Sequence, residues 1–441
     1  MNNIPKTPSP YMPGTDADHT AMLATIGVSG FEELVGDIPV SVRNPTIDLP
    51  PPLSELELSA HVNELAERNQ SASKYACFLG AGSYRHHIPA VARTVASRGE
   101  FVTAYTPYQP EAAQGTLQVA FEFQSLVCEL TGLDVANAGM YDGPTAFAEA
   151  ALMACRLTRR SIVAVLNTVD PRAVEVLKSY TYYQGIRIDV IEPTASVLPE
   201  GTACLMIQSP NFLGSIEDVA SYAEIAHRDG SLLVVHVNPT FLALFKSPGE
   251  LGADIVTAEG QPLGVPLTFG GAYVGLFAVR EAYKRQLPGR IAGRTKDTLG
   301  RIGYTLTLQT REQHIRRETA TSNICTSTQL IGLMVVAYVA ALGRTGLRQV
   351  AELCYQKAHY LASEIDRIPG YSLATEADFF HEFPIICPKA PAEINRRLLE
   401  RQVVGGLDIN EHVTNGMLLC ATEMNTRSEI EHFLVALREL A

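Results

Sequence analysis

The segment "GADIVTAEGQPLGVPLTFGGAYVGLFAVR", residues 252–280, has the layout of a site for covalent chemistry. An apolar strand leads into a turn, and a second strand returns through a glycine pair that permits close backbone approach. A lysine that forms a Schiff base with a bound carbonyl group would belong at the turn, near Gln261 or Pro262. The segment contains no lysine. The sequence therefore predicts the setting of a covalent site without its nucleophile.

The lysines nearest to this turn lie on neighbouring elements. Lys246 precedes the first strand and Lys284 follows the return strand, so neither lies on the element from which the nucleophile would approach. An enzyme with a displaced lysine is one alternative, and a solvent-exposed surface lysine is the simpler interpretation of both residues.

A proline-rich loop, "FVTAYTPYQPEAAQG", precedes a long amphipathic helix. Prolines fix the backbone, so the loop would present Tyr105, Tyr108, Gln109 and Glu111 in a rigid arrangement. These side chains are candidates for contact with a substrate or a partner chain. The alternative is a turn that packs its tyrosines against the core.

Three further residues are placed where a doubly wound fold binds ligands. In "GMYDGPTAF" a turn enters a helix near Pro144, and free N–H groups beside Thr145 would suit a phosphate. Asn211 and His236 follow or end apolar strands, at the edge of the sheet where ligands bind. An ordinary capped helix and a structural histidine are the alternatives.

A basic segment at residues 306–326, "LTLQTREQHIRRETATSNICT", carries Arg311, His314, Arg316 and Arg317 on a predicted helix. It could bind a carboxylate or phosphate, or it could form ion pairs with the N-terminal arm or a partner chain. The acidity of the whole chain favours ion pairs. The spacing of the histidines here and in "RHHIP" does not match a metal site, so no metal is predicted.

Composition indicates an acidic globular protein. The chain has 441 residues, of which 46% are hydrophobic, and its net charge of −12 argues against a nucleic-acid-binding face. Its eight cysteines form no C-x-x-C pair, as expected for reduced thiols. We find no signal peptide and no stretch that approaches the length of a membrane span. These features place the chain in the cytoplasm.

Apolar runs alternate with helical segments in the middle of the chain, which predicts an α/β fold with a mostly parallel, doubly wound sheet. The predicted strands are "SIVAVLN", "IRIDVIE", "ACLMIQ", "LLVVHV" and "ADIVTA", with crossover helices between them. Ser54 and Glu57 form a capping box for a helix of the N-terminal arm. We predict a helical arm over residues 1–74, a large α/β domain over 75–326, and a long helix with a small α+β domain over 327–441.

Long stretches of the chain resemble one known family. The matching text includes "FLGAGSYRHHIPAV", "GEFVTAYTPYQPEAAQGTLQ", "GMYDGPTAFAEA", "QSPNFLGSIED" and "TLQTREQHIRRETATSNICTSTQL", and it runs from about residue 75 to 330. It resembles the P proteins of the glycine cleavage system, and specifically the first subunit of the two-subunit form found in many bacteria. The resemblance implies the fold-type-I fold of pyridoxal-phosphate (PLP) enzymes.

The resemblance also implies an activity and partners. Glycine is decarboxylated on PLP, and its aminomethyl group passes to the lipoyl arm of the H protein. This chain lacks the Schiff-base lysine at Gln261 or Pro262, and His236 stands where an aspartate would hold the pyridine nitrogen. PLP is therefore expected on a second subunit, in an α2β2 assembly whose active site this chain completes. The alternative is a catalytically silent structural or regulatory subunit, with Thr145, Asn211 and His236 lining a vestigial slot that is empty or filled by side chains.

Overall fold

The computed structural model describes residues 13–43, 45, 48–103, 106–324 and 326–441. Two residues of interest, Tyr105 and Cys325, therefore lie outside the described residues. The chain forms two compact units, Met1–Asn69 and Gln70–Ala441.

The helices and strands alternate along most of the second unit. The helices are α1 (Asp16–Ile26), α2 (Phe31–Leu34), α3 (Glu55–Glu67), α4 (Ala90–Ala96), α5 (Gly99–Val102), α6 (Gln114–Thr131), α7 (Gly143–Thr158), α8 (Pro171–Thr181), α9 (Val219–Arg228), α10 (Gln313–Arg316), α11 (Gln329–Ile365), α12 (Pro391–Leu399) and α13 (Arg427–Leu440). The strands are β1 (Ala76–Cys77), β2 (Val135–Ala136), β3 (Ile162–Leu166), β4 (Arg187–Ile191), β5 (Thr202–Ser209), β6 (Leu232–Val237), β7 (Ile255–Glu259), β8 (Gly275–Val279), β9 (Ile291–Lys296), β10 (Ile302–Thr307), β11 (Ser372–Leu373), β12 (Glu382–Ile386), β13 (Val403–Val404), β14 (Leu407–Asp408) and β15 (Gly416–Cys420).

The first unit is helical, as predicted, and its helix starts are fixed by side chains. Ser54 and Glu57 form the predicted capping box at the start of α3, and Thr15 and Asp18 form another at the start of α1. Each cap satisfies backbone N–H groups that lack a partner within the helix, and such a cap contributes about 1 kcal/mol.

The second unit is built on a seven-stranded sheet in the order β2-β8-β7-β6-β5-β3-β4. The strands β7, β6, β5, β3 and β4 are parallel to one another. Strand β8 is antiparallel to both of its neighbours, β7 and β2. Most of the parallel strands are almost continuously apolar, and α7 and other helices cover them, whereas the edge strand β4 has exposed residues. This arrangement confirms the predicted doubly wound α/β domain.

The predicted crossover helices are only partly correct. Helix α8 connects β3 to β4 and α9 connects β5 to β6, but no α-helix lies between β4 and β5 or between β6 and β7. In the second of these connections Phe241 and Phe245 pack with Phe380 of the C-terminal region instead. Aromatic burial against a distant element therefore replaces the local helix.

The C-terminal region forms a four-stranded antiparallel sheet in the order β11-β12-β15-β14, with α12 and α13 packed nearby. Its core includes Phe78, whose ring stacks on Phe433 with centroids 4.3 Å apart. Strand β1 pairs with β13 of this region. The segment around Phe78 therefore packs with the small domain, although the sequence analysis assigns it to the start of the large one.

Helix α11 joins the two parts of the second unit and is interrupted at Gly343, whose φ of 62° is left-handed. It is also the one helix among the described residues that is long and apolar enough to cross a membrane by length and composition. The expectation that no stretch reaches that length was therefore wrong. Leu333, Val335 and Tyr338 are nevertheless buried in the sheet-domain core, which is the environment of a core helix in a globular protein.

The basic segment at residues 306–326 does not form the predicted helix. It contains the end of β10, a 3-10 turn at Gln309–Arg311, the single-turn helix α10 and a second 3-10 turn at Arg317–Thr319. Arg311 donates to the backbone oxygens of Leu287 and Gly289, so the segment is tied to the loop that precedes β9.

Candidate functional site

A cavity of about 490 Å³ opens at the carboxyl ends of the central strands. It lies where doubly wound folds bind their ligands. The charged and polar residues that line it come from both parts of the second unit and include Tyr84, Asp142, Asp170, Arg172, His236, Glu259, His381 and Glu382. Among the described residues no lysine lines this cavity, and Lys246 and Lys284 lie elsewhere.

In the turn after β7, Gln261 and Pro262 occupy the positions at which the sequence analysis expects a nucleophilic lysine. Pro262 lines the cavity, whereas the side chain of Gln261 is directed into the protein. Its Oε1 accepts from the Tyr84 N–H at 2.7 Å, and its Nε2 donates to the backbone oxygens of Tyr84 and Val265, each at 2.9 Å. Gln261 is buried, so its amide makes a fully paired structural contact at the position where a lysine was expected.

The start of α7 is closed by two carboxylates. Asp142 caps the helix and accepts from the Thr145 N–H at 2.7 Å, and Glu259 accepts from the Gly143 N–H at 2.8 Å. Pro144 has no N–H, and Ala146 donates to the Asp142 backbone oxygen. Of the two interpretations of this helix start, the ordinary capped helix is therefore the one found, because side-chain caps use the donors that a phosphate would need.

The backbone approach at this point is close. A Cβ added at Gly143 would lie 2.8 Å from the Glu259 Cβ, so only glycine allows the helix start to meet the end of β7. Burial raises the pKa of Glu259 to about 7, although the N–H groups of Gly143 and Gln261 act in the opposite direction. A buried carboxyl group thus replaces a bound anion at the helix start.

His236 lies at the end of β6 and lines the cavity. Its Nδ1 is 2.9 Å from the Thr257 hydroxyl, and its ring meets Phe147 edge-on. Burial lowers the pKa of His236 to about 4, despite the opposing effect of Asp170 and Asp142. The imidazole is therefore neutral at pH 7 and carries no negative charge for a pyridinium nitrogen.

Asn211, the third predicted slot residue, is buried next to the cavity and its side chain is committed to the protein. Its Oδ1 accepts from the N–H groups of Leu213 and Ser215, and its Nδ2 donates to Glu217. Three residues were predicted to line the vestigial cofactor slot. His236 lines the cavity, whereas Thr145 and Asn211 do not.

The far wall of the cavity comes from the small domain. Glu382 accepts from the Tyr84 hydroxyl at 2.6 Å and from the Ala81 N–H. Burial raises the pKa of Glu382 to about 7, and these hydrogen bonds and Arg172 act in the opposite direction. Arg172 itself forms an ion pair with Asp170 at 2.7 Å. Among the described residues Arg172 supplies the one guanidinium that lines the cavity, and it is thus already paired.

The cofactor that the resemblance implies does not fit this cavity. Its phosphate would meet the carboxylates of Asp142 and Glu259 instead of free N–H groups, and its pyridinium nitrogen would meet a neutral His236. Pro262 offers no amine for its aldehyde. The described residues that line the cavity therefore provide none of these three contacts for PLP.

The proline-rich loop that carries Tyr108, called the tyrosine loop from here on, lies against a buried pair of charged residues. The Tyr108 hydroxyl accepts from Arg290 at 3.0 Å, and the guanidinium lies over the ring, 4.9 Å from its centroid. Arg290 is buried beside Glu312, with Arg290 Nε and Glu312 Oε2 3.7 Å apart. Gln109 and Glu111 are exposed, and Tyr105 lies outside the described residues. Tyr108 is thus held in place on one face while half of its surface remains open to solvent.

One cluster was missed because its members are far apart in sequence. His86, Cys354 and Glu423 bring one donor atom each to within 4.8 Å of one another. The His86 Nδ1 and a Glu423 oxygen are 2.7 Å apart, a hydrogen bond that joins the large domain to the small one. By distance the group could hold a metal ion, so the absence of a metal site stays a prediction.

The carboxylates of the cavity were also missed by the sequence analysis. Asp142 and Asp170 each stand directly before a helix whose first turn contains proline, a pattern that predicts a cap and could have identified them. Glu382 has no such local signal, because it reaches the cavity only when the small domain packs against the sheet domain.

Comparisons with known proteins agree with the resemblance. Residues 9–437 match the family described as "Glycine cleavage system P-protein". "Probable glycine dehydrogenase (decarboxylating) subunit 1" of Thermomicrobium roseum is 49% identical over 97% of this chain and 99% of its own length. The protein of that name from Desulfitobacterium hafniense is 48% identical over 98% of this chain and 99% of its own.

Solved structures show the same fold. A crystal structure of glycine decarboxylase (P-protein) of the glycine cleavage system, in inhibitor-bound form, superposes with a TM-score of 0.92 and 42% identity over 98% of this chain and all of that one. Sphingosine-1-phosphate lyase of Burkholderia pseudomallei, with a TM-score of 0.64 and 14% identity over 90% and 93% of the two chains, shares the fold alone. The expected fold-type-I architecture of PLP enzymes is therefore confirmed, and the chain belongs to the glycine cleavage system P-protein family.

Proposed function

We propose that this chain is the first subunit of a two-subunit glycine dehydrogenase (decarboxylating) and that it completes an active site whose PLP is held by the second subunit. Two relatives with nearly full-length matches carry the name subunit 1 of that enzyme. The observation that carries the proposal is the cavity of this chain, where Asp142, Glu259 and Pro262 stand in place of the groups that PLP needs.

In this proposal the second subunit supplies the PLP, which provides the electron sink for loss of CO2 from glycine. The aminomethyl group then passes to the lipoyl group of the H protein. This chain contributes the loop with Tyr105, Tyr108, Gln109 and Glu111, which orients groups at the second subunit's site. Arg290 donates to the Tyr108 hydroxyl of that loop and forms an ion pair with Glu312. The α2β2 assembly is proposed from the resemblance alone. The cytoplasmic location is proposed because the chain is acidic, with a net charge of −12, and its described cysteines are free thiols.

A reconstitution experiment tests the proposal. The second subunit at fixed concentration is titrated with this chain, and decarboxylation is followed by release of labelled CO2 from glycine. We expect no activity from this chain alone and a rise to a plateau at equimolar subunits. Activity of this chain alone, or full activity of the second subunit without it, contradicts the proposal.

A silent structural or regulatory subunit is the second candidate. It is favoured by one observation: Gln261, Asn211 and Thr145 form hydrogen bonds with other residues of this chain. The two candidates differ in the role of the tyrosine loop, because only an active contribution requires the Tyr108 side chain for turnover.

A further inference from the structure

Arg290 and Glu312 are two buried charged side chains that lie beside the tyrosine loop and do not line the cavity at the strand ends. Arg290 Nε and Glu312 Oε2 are 3.7 Å apart, and the side chain of each is 4% exposed. Arg290 Nε and both carboxylate oxygens of Glu312 have no hydrogen-bond partner among the described residues. The cost of removing two charges from water can exceed their attraction, so such a pair is weak evidence for a contribution to stability.

Two side chains that contact Tyr108 are both paired with Glu312. The Arg290 guanidinium donates to the Tyr108 hydroxyl at 3.0 Å and lies over the ring, 4.9 Å from its centroid. The His314 ring meets the Tyr108 ring edge-on, with the centroids 6.2 Å apart. Glu312 Oε2 is 3.7 Å from Arg290 Nε and 3.6 Å from His314 Nδ1. The four side chains therefore form a closed ring of contacts in which Glu312 is opposite Tyr108.

Backbone contacts hold Arg290 and Glu312 near each other. Arg311 directly precedes Glu312, and it donates to the backbone oxygens of Leu287 and Gly289. Gly289 directly precedes Arg290. Because these hydrogen bonds join the two segments of chain, the segments do not depend on the attraction between the two charges to stay together. A loss of charge at Glu312 should therefore act on the neighbouring side chains while the backbone stays in place.

The orientation of Tyr108 depends on this pair. The hydrogen bond from Arg290 is the one that the Tyr108 side chain forms among the described residues, and 53% of Tyr108 is exposed. Burial raises the pKa of Glu312, whereas the charges of Arg290, His314 and Arg311 act in the opposite direction. The Glu312 carboxylate is thus the negative charge that faces the Arg290 guanidinium, and without it the guanidinium has no charged partner at this place.

We propose that Glu312 is a positioning residue for Tyr108: through Arg290 and His314 it fixes the phenol ring so that the hydroxyl is presented to the site of the second subunit. The inference rests on the proposed function, because Tyr108 acts there at the second subunit's site. It deepens that function by assigning a role to a buried side chain that acts only through its neighbours. Because the Tyr108 hydroxyl accepts from Arg290, its own proton stays available for an acceptor at that site.

Fluorine NMR of the isolated full-length chain, labelled with 3-fluorotyrosine, tests the positioning. The Tyr108 resonance is the signal that Tyr108→Phe removes. In the wild-type chain its chemical shift should differ from that of free 3-fluorotyrosine, because the Arg290 charge and the His314 ring lie against the phenol. Glu312→Gln should move the resonance toward the free value. Glu400→Gln makes the same change at an exposed ion pair and should leave the resonance where it is.

A second variant removes both charges, because Glu312→Gln leaves the buried Arg290 guanidinium without its partner. Replacement of a buried ion pair by apolar side chains of similar volume is often neutral for stability. Arg290→Met/Glu312→Leu should therefore fold and associate with the second subunit as wild type does. Its Tyr108 resonance should also move toward the free value.

Turnover of the two-subunit complex, measured at saturating glycine and equal stoichiometry, tests what the positioning does. Glu312→Gln should lower kcat roughly 5-fold in the wild-type background and less than about 2-fold in a Tyr108→Ala background, because residues that act together have non-additive effects. Arg290→Met/Glu312→Leu should show the same dependence on Tyr108.

Two results would overturn the inference. One is a Tyr108 resonance that stays at its wild-type position in Glu312→Gln and in Arg290→Met/Glu312→Leu, since the ring is then held without the pair. The other is an equal effect of Glu312→Gln on kcat in both backgrounds, which assigns Glu312 a role independent of Tyr108. Wild-type turnover of Tyr108→Ala contradicts the proposed function instead. The two failures are distinguishable because the fluorine spectra are recorded without the second subunit.

Discussion

The side-chain amide of Gln261 pairs with both backbone groups of Tyr84, accepting from its N–H at 2.7 Å and donating to its C=O at 2.9 Å. This two-point contact fastens the segment before α4 to the turn after β7. At the position where the sequence predicts a missing lysine, the structure therefore has a residue with a different task. The turn holds the cavity wall together and leaves Pro262 to face the cavity.

Removing that contact should destabilise the chain. Gln261→Ala leaves the buried N–H and C=O of Tyr84 and the C=O of Val265 without their partner, and the expected loss is on the order of 3 kcal/mol in the free energy of unfolding. Urea denaturation measures it. Gln184→Ala, which removes an exposed amide with one long hydrogen bond, is the matched control and should change stability by less than about 0.5 kcal/mol. Equal stability of the two variants would contradict the stabilising role of the contact between Gln261 and Tyr84.

A lysine alone should not restore a cofactor site. We expect Pro262→Lys, incubated with PLP, to show no visible absorbance band and no borohydride-stable lysine adduct at residue 262, because Asp142 and Glu259 still occupy the helix N–H groups. Absorbance and mass spectrometry of the reduced protein give the answer. A stoichiometric adduct at residue 262 would show that the missing amine is the only obstacle.

The stability of the chain should depend on Glu382 between about pH 4.5 and pH 7. The pKa of about 7 in the folded chain lies above the ordinary value of 4.5 for a glutamate. The folded chain therefore binds the proton more tightly, and the contribution of this carboxyl group to stability falls as pH rises through that window. Glu382→Gln keeps an acceptor for the Ala81 N–H and removes the titration. The difference in unfolding free energy between wild type and variant should change by about 3 kcal/mol across the window, to the disadvantage of wild type at higher pH.

Urea denaturation of both proteins at several pH values provides the measurement. Because all other titrating groups are shared, their contributions cancel in the difference. A difference that stays constant from pH 4.5 to 7 would show that Glu382 is not the buried, neutral group that its surroundings indicate.

The tyrosine loop should matter for turnover and little for folding. Tyr108 is 53% exposed, and Tyr108→Ala should lower glycine decarboxylation by the intact two-subunit complex roughly 10-fold or more while its urea midpoint changes little. Tyr108→Phe keeps the ring over Arg290 and loses only the hydroxyl contact, so it should retain more activity than Tyr108→Ala.

Tyr183→Ala is the control for this pair, since that side chain is 93% exposed and lies just after α8. Activity should be measured on complexes purified at equal stoichiometry, so that assembly and turnover are separated. Wild-type turnover of Tyr108→Ala in an intact complex would favour the silent-subunit candidate.

Local signals in the sequence predict the sheet and the missing lysine well. Strands such as β3 are continuous apolar runs, and the Ser54 capping box marks the start of α3, because both depend on neighbours in sequence. The connection after β6 was predicted incorrectly because Phe241 packs against Phe380 from the small domain. The pattern around residue 241 does not contain that contact.

The sequence predicts those site residues whose positions depend on their neighbours in the chain. The position of His236 at a strand end follows from the length of the apolar run, and it does line the cavity. The Thr145 N–H is not free because Asp142, three residues earlier, accepts from it, whereas the Gly143 N–H donates to Glu259, more than a hundred residues later. Pairings of that kind arise from the sheet order, which sequence patterns do not specify.

The location of PLP in the assembled enzyme tests the central claim most directly. The active two-subunit complex is reduced with borohydride, digested and analysed by mass spectrometry for lysines that carry a pyridoxyl group. We predict that the modified lysine lies on the second subunit and that every lysine peptide of this chain has its unmodified mass. A pyridoxyl group on any lysine of this chain, at a stoichiometry that follows activity, would contradict the account.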